Sequence, residues 1–242
     1  MDQPSEFSES GNPIYRYKPR EKPFEFATGD VAHIKMVEEH IAKHVGEVGW
    51  VYHEIISDLV HLDVHVVEPR PERPFFTLVT SGMSARAMKV PEGAEDFSYA
   101  ELVICLPPDW PMKQEDFKDD KNFWPIRLLK MLARLPHEYD SWLGYGHTIP
   151  NGDPAEPYAE NTKLCCALLL PPVTIPSDFM TLAATPELDI NFYGVVPIYK
   201  EEMELKLKKG SDGLIDRFDK YGVSEILDVK RKNTAKKFLG LF

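Results

Sequence analysis

Proline sets the grain of this chain. Twenty-one of its 242 residues are proline, and they fall where apolar runs stop. The run 60–66 ends in Pro69, Pro71 and Pro74, the run 99–106 in Pro107 and Pro108, the run 163–170 in Pro171 and Pro172, and the run 190–196 in Pro197. Proline cannot donate to a β-ladder, so each run is confined to a short strand with a stiff exit. The prolines follow no period and no internal repeat is visible. That describes a folded protein with many rigid turns and excludes a low-complexity segment.

Between these stops the spacing changes character. Val60, Leu62, Val64 and Val66 alternate with His61, Asp63 and His65, which predicts a strand with one buried face. Phe75–Val79 and Tyr99–Leu106 read as further strands, with a turn at Ser81–Ser84 between them. Asp30 is a helix-capping residue, and Ile34, Val37, Ile41, Val45 and Val48 then recur on one helical face, predicting a helix over 31–46. A second helix starts at Asn122–Pro125, carries Ile126, Leu129 and Leu132, and ends at Pro136. Lys163–Leu170 and Ile190–Val196 are strands. Helices follow at Ile198–Lys209, after Ser211, and after Ser224. The strands come in runs and do not alternate singly with helices, so the expected fold class is α+β, with a mixed, largely antiparallel sheet covered by helices. Residues 1–29 are polar and read as an arm with no core of its own, pinned by Phe24 and Phe26. Residues 30–242 read as one domain with a basic C-terminal end.

Charge narrows the partners. There are 28 Lys and Arg against 39 Asp and Glu, a net −11. An excess of carboxylate repels a polyanion, so nucleic acid is not the expected partner, whereas a basic protein is. Lys230, Arg231, Lys232, Lys236 and Lys237 form the one basic cluster, whose ordinary reading is a solvated end. No stretch has the roughly 20 apolar residues of a membrane helix, and the N-terminus lacks the features of a secretory signal, so the expectation is a cytoplasmic protein with no membrane partner.

Few residues signal chemistry. His61, Asp63 and His65 share one strand face and include metal-ligand types, but their ordinary reading is the polar face of an edge or half-covered strand. His33, His40 and His44 form a helical stripe without the HExxH pattern, read as a solvated flank. Cys165 and Cys166 sit in an apolar strand and read as inert, even with His147 as a conceivable base. Ser81 and Ser84 lack a nucleophile-elbow pattern, and no phosphate-binding glycine loop is present. No catalytic residue, cofactor or metal site is expected. What remains is recognition material. It comprises the long Gly-, Pro- and Asn-rich loop 144–162, with His147, Asn151 and Asp153, and the aromatics Trp110, Trp124 and Trp142.

Six segments, in order, resemble the suppressor-of-fused family, and its bacterial members in particular. They are HLDVHVVEP (61–69), FTLVTSGMS (76–84), YAELVICLPPDW (99–110), GYGHTIPNGDP (144–154), ALLLPP (167–172) and INFYGVVPIYKEEMELKLKKGSDGLIDRF (190–218). The resemblance spans roughly 30–225. It implies an α+β protein that binds another protein. Animal members hold a transcription factor through a strand-like peptide added to a sheet, and bacterial members resemble immunity proteins that neutralise a cognate toxin. The expectation is therefore a non-enzymatic binding module, an immunity protein for a basic toxin such as a nuclease, with contacts at His61, Asp63, His65, His147, Asn151 and Asp153. Two alternatives stand: a metal-dependent hydrolase using His61, Asp63, His65 and His147, and a regulatory scaffold for endogenous proteins. Oligomeric state is not legible.

Overall fold

Residues 4–236, apart from 22 and 187, are described by a computed structural model. Two short hairpin strands, β1 (Glu6–Phe7) and β2 (Pro13–Ile14), open the chain, and β3 (Phe26–Ala27) follows. Helix α1 spans Val31–His44. Asp30 caps it, its Oδ1 accepting from the amides of Ala32 (2.9 Å) and His33 (3.2 Å), two donors that no helical carbonyl could satisfy. Then come β4 (Val48–Tyr52), β5 (Ser57–Asp58), β6 (Asp63–Val67), β7 (Phe76–Ser81) and β8 (Ala100–Leu106). Helix α2 spans Asp120–Glu138, and β9 (Thr148–Pro150), β10 (Cys166–Leu170), β11 (Thr181–Thr185) and β12 (Leu188–Ile198) complete the strands. Helices α3 (Lys200–Lys209) and α4 (Asp212–Tyr221) close the order.

One large sheet organises the molecule, in the order β4-β6-β7-β8-β12-β10-β9, with β11 also on β12. Only β8 and β12 pair in parallel, and the other pairings are antiparallel. Alternation along the strands divides the core in two. Val64, Val66, Leu102, Ile104, Tyr193 and Val195 face α2, whose Trp124, Leu129 and Leu132 are fully buried. On the other face Val67, Val79, Val103 and Phe192 pack against Val37 and Ile41 of α1, and Cys166, Leu168, Val196 and Ile198 pack against Leu214 and Phe218 of α4. The result is three layers, helix on sheet on helix. Each such core side chain contributes about 1.5–3 kcal/mol relative to exposure.

Several expectations change here. Strand β6 lies inside the sheet with both faces covered, so His65 and Asp63 are buried instead of lining a solvated face. The α1 histidines are not a solvated flank: His40 is buried with Nε2 3.0 Å from the Phe179 carbonyl, and His33 Nε2 is 2.8 Å from Ser84 Oγ. Pro136 lies within the last turn of α2 and does not stop it. Among the described residues no helix follows Ser224; instead Ile226 bridges Cys105 of β8 in parallel. The side chains of Phe24 and Phe26 are exposed, so they are not buried anchors, and Phe26 ties the segment down through its backbone in β3. The N-terminal segment is held by β3 pairing with β5, by Arg20 on Asp58 (2.6 Å), by Tyr17 stacked on Tyr139 (4.8 Å), and by the Ser10 amide donating to Leu207 of α3 (3.1 Å).

Candidate functional site

The register of the sheet builds one cluster directly. Strands β4 and β6 run antiparallel with Tyr52 opposite Val64. The next step of that ladder sets His53 opposite Asp63. Period two then puts His61 and His65 on the face of Asp63. His53 Nδ1 lies 3.0 Å, and His61 Nε2 3.2 Å, from Asp63 Oδ1. The ligand atoms of these three residues lie within 4.8 Å of one another, the one such group of three among the described residues. His65 is not part of it. Its Nε2 is 2.9 Å from Ser81 Oγ, and burial pulls its pKa down to about 4, so the ring is neutral at pH 7.

The other three expected contact residues lie on the 144–162 loop. His147 packs edge-on against Trp142, with ring centroids 4.4 Å apart, and burial, helped by Lys206, lowers its pKa to about 4. Asn151 shapes the loop: its Nδ2 donates to the carbonyls of Glu156 (2.8 Å) and Pro157 (3.3 Å). Asp153 is exposed and pairs with Arg16 of the N-terminal segment. Tyr158 is buried and stacks flat on Trp124 (5.1 Å), anchoring the far end of the loop to α2. The loop is thus an internally bonded ridge that presents the exposed carboxylates of Asp153, Glu156 and Glu160, the last paired with Lys121 (3.3 Å).

The six residues therefore fall into two places. Strand β6 is second in the sheet and β9, which the loop contains, is last. Five strand spacings separate them, about 24 Å. Trp124 is wholly buried, while Trp110 and Trp142 are partly buried against the core, so none of the three is a free recognition aromatic.

The remaining chemistry is internal. Burial raises the pKa of Cys105 to about 12 and lifts Cys165 and Cys166 as well, which keeps all three thiols protonated. Glu101, fully buried between β7 and β8, is satisfied by four donors: Thr80 Oγ1, the amides of Gly82 and Ser84, and Ser84 Oγ. Ser84 thus donates its proton to Glu101. Arg231 of the basic cluster is not a solvated cation. It forks onto Glu202 of α3 at 2.5 and 2.7 Å, while Lys236 pairs with Glu201 (3.2 Å). Lys237 lies outside the described residues. A cleft of about 190 Å³ between the β10 exit and α4, lined by Tyr145, Val173, Phe218 and Glu225 among others, is smaller than a typical small-molecule pocket.

His53 is the residue that reading the sequence missed. Its signal was the pairing of VGWVY (48–52) with 63–67, and that edge strand is too short and too weakly alternating to announce itself.

The family model for Suppressor of fused protein (SUFU) matches residues 58–232. The chain belongs to the suppressor-of-fused family. Among solved structures it is similar to a SUFU homologue from Neisseria gonorrhoeae FA 1090, with 18% identity over 86% of this chain and 100% of that one and a TM-score of 0.63. It is also similar to a structure described as the Sufu-Fu complex, with 14% identity over 84% of this chain and 92% of that one and a TM-score of 0.57. These likenesses show that the SUFU fold is shared. No curated protein matches the sequence significantly. Among the described residues, no helix is long and apolar enough to cross a membrane.

Proposed function

We propose that this SUFU chain is a non-enzymatic protein-binding module, an immunity protein of a bacterial toxin system that occupies a cognate basic toxin domain, a nuclease being the natural class. Membership of the SUFU family carries the reading, and a structural relative described as a Sufu-Fu complex is a protein–protein assembly. The charge supports the toxin half. A net −11 steers a cationic partner, and a nuclease active face is cationic because its substrate is anionic. The contact surface in this proposal is the 144–162 ridge with Asp153, Glu156 and Glu160. Of the residues expected on the β6 face, Asp63 and His65 are buried and fall outside this surface.

The test is capture of the tagged protein from its native cells at moderate salt, with mass spectrometry of what remains at stoichiometric level. Recovery of a basic toxin domain whose activity falls on adding this chain supports the reading. Stoichiometric recovery of housekeeping proteins alone replaces it with the regulatory scaffold.

A further inference from the structure

Asp63 is a buried carboxylate that lacks a hydrogen bond. It is 1% exposed, and neither carboxylate oxygen accepts a hydrogen bond. A buried carboxylate without partners costs several kcal/mol and persists only where something compensates it. Two imidazole nitrogens sit 3.0 and 3.2 Å from Oδ1, yet neither contact is aligned as a hydrogen bond.

The orientation of His61 sharpens the point. Ser57 Oγ donates to Glu54 Oε2 (3.0 Å), so its oxygen is left to accept from His61 Nδ1 at 2.9 Å. Glu54 is itself fixed by Arg134 (2.7 Å), with Lys130 at 3.8 Å. This chain of contacts places the His61 proton on Nδ1 and turns a bare Nε2 lone pair toward the Asp63 carboxylate. A lone pair against an anion is repulsive unless a cation lies between them. Gly29 packs close beside the ring, since a Cβ there would stand only 2.8 Å from His61 Cδ2.

We propose that His53 Nδ1, His61 Nε2 and the Asp63 carboxylate bind one divalent transition-metal ion of the zinc class. The spacing fits. Two ligands about 2.0–2.1 Å from an ion stand about 2.9 Å apart at a right angle and about 3.3 Å apart at the tetrahedral angle, and the two N–O separations fall in that range. The ligand set is two imidazoles and a carboxylate, which suits zinc-like ions over magnesium or calcium. Ser57 and Glu54 are the outer groups that hold a ligating histidine in its tautomer. His53 is 65% exposed, so the fourth coordination position opens to solvent. The ion would clip the end of edge strand β4 to β6, and it is independent of the toxin-binding reading, whose surface lies at the other end of the sheet.

The test uses full-length, tag-free protein and the metal alone. Calorimetric titration with Zn²⁺ should give one equivalent per chain. His53→Ala, at an exposed position, should leave the metal-free melting temperature unchanged and weaken binding at least about 100-fold, and Ser57→Ala should weaken it about 10–100-fold. Co²⁺ should substitute and give visible d–d absorption that His53→Ala removes, while equimolar Mg²⁺ should not compete. Binding of less than a tenth of an equivalent, Zn²⁺ affinity unchanged in His53→Ala, or full competition by Mg²⁺ would each overturn the site.

Discussion

Replacing Glu202 by glutamine should destabilise the protein severely, although the change is isosteric. Glu202 is wholly buried at the start of α3 and holds five donors: both arms of Arg231 (2.5 and 2.7 Å), the amide and hydroxyl of Thr234 (2.8 Å each), and the Tyr199 amide (3.0 Å). Burial alone would raise its pKa, but Arg231 and the amides outweigh burial and hold it below the ordinary carboxylate value. Glutamine keeps an oxygen for Thr234 and removes the counter-charge, leaving a guanidinium only 10% exposed. Breaking a buried pair in this way costs about 3–5 kcal/mol, and at 2–4 °C per kcal/mol for a chain of this size the melting temperature should fall by about 6–20 °C. The assay is thermal unfolding by circular dichroism at pH 7, with Arg231→Met and the double variant alongside. The double variant should be less destabilised than the two single effects added, by at least about 1 kcal/mol, because it removes the stranded charge as well. A Glu202→Gln melting temperature within 2 °C of the parent, or strict additivity, would refute the reading of Arg231 as an internal clamp on α3.

Three further outcomes follow from the same geometry. Reversing Asp153 and Glu156 together to lysine should weaken binding of a basic partner and flatten its salt dependence while leaving the melting temperature within about 2 °C; unchanged affinity moves the interface off the loop. The buried His137, which donates to the Met83 carbonyl (2.9 Å), is held at about pH 4 by burial, as is His147. Both stay neutral when folded and take up protons on unfolding, so stability should be complete above the unfolded pKa near 6.5 and decline as pH falls from 6.5 toward 4. The loss reaches about 3 kcal/mol from His137, and a flat stability profile across that window would contradict the burial of the two rings. The three buried thiols should react with a disulfide reagent only after denaturant is added, and fast labelling of the native protein would show that Cys165 and Cys166 are open to solvent.

How much of this was legible depended on whether a signal was local. Helix α1 announced itself through the Asp30 cap and an apolar repeat, and the prolines marked where β8 and β10 end; Pro197 did not end its strand, because β12 runs through it to Ile198 with Pro197 opposite Ala167. The family was legible in ordered segments. Strand β4 was not, because a five-residue edge strand with Gly49 in it carries almost no alternation, and β11, reading TLAAT, is equally bland. Missing β4 hid His53, since only cross-strand register brings it to Asp63. The alternation of 60–66 correctly gave two faces, but it could not say that α1 would cover the polar one. What covers a strand is decided by distant sequence. For the same reason the loop and the β6 histidines looked like one surface, and only the strand order puts them at opposite ends of the sheet.

The most direct measurement of the immunity role is a competition between parent cells and a strain lacking only this gene. The deletion strain should be outcompeted when grown in contact with the parent and should grow normally alone, and an intact copy of the gene should restore it while a copy reversed at Asp153 and Glu156 restores it poorly. Even competition between deletion strain and parent, under conditions where the parent inhibits unrelated neighbours, would show that the protein confers no immunity.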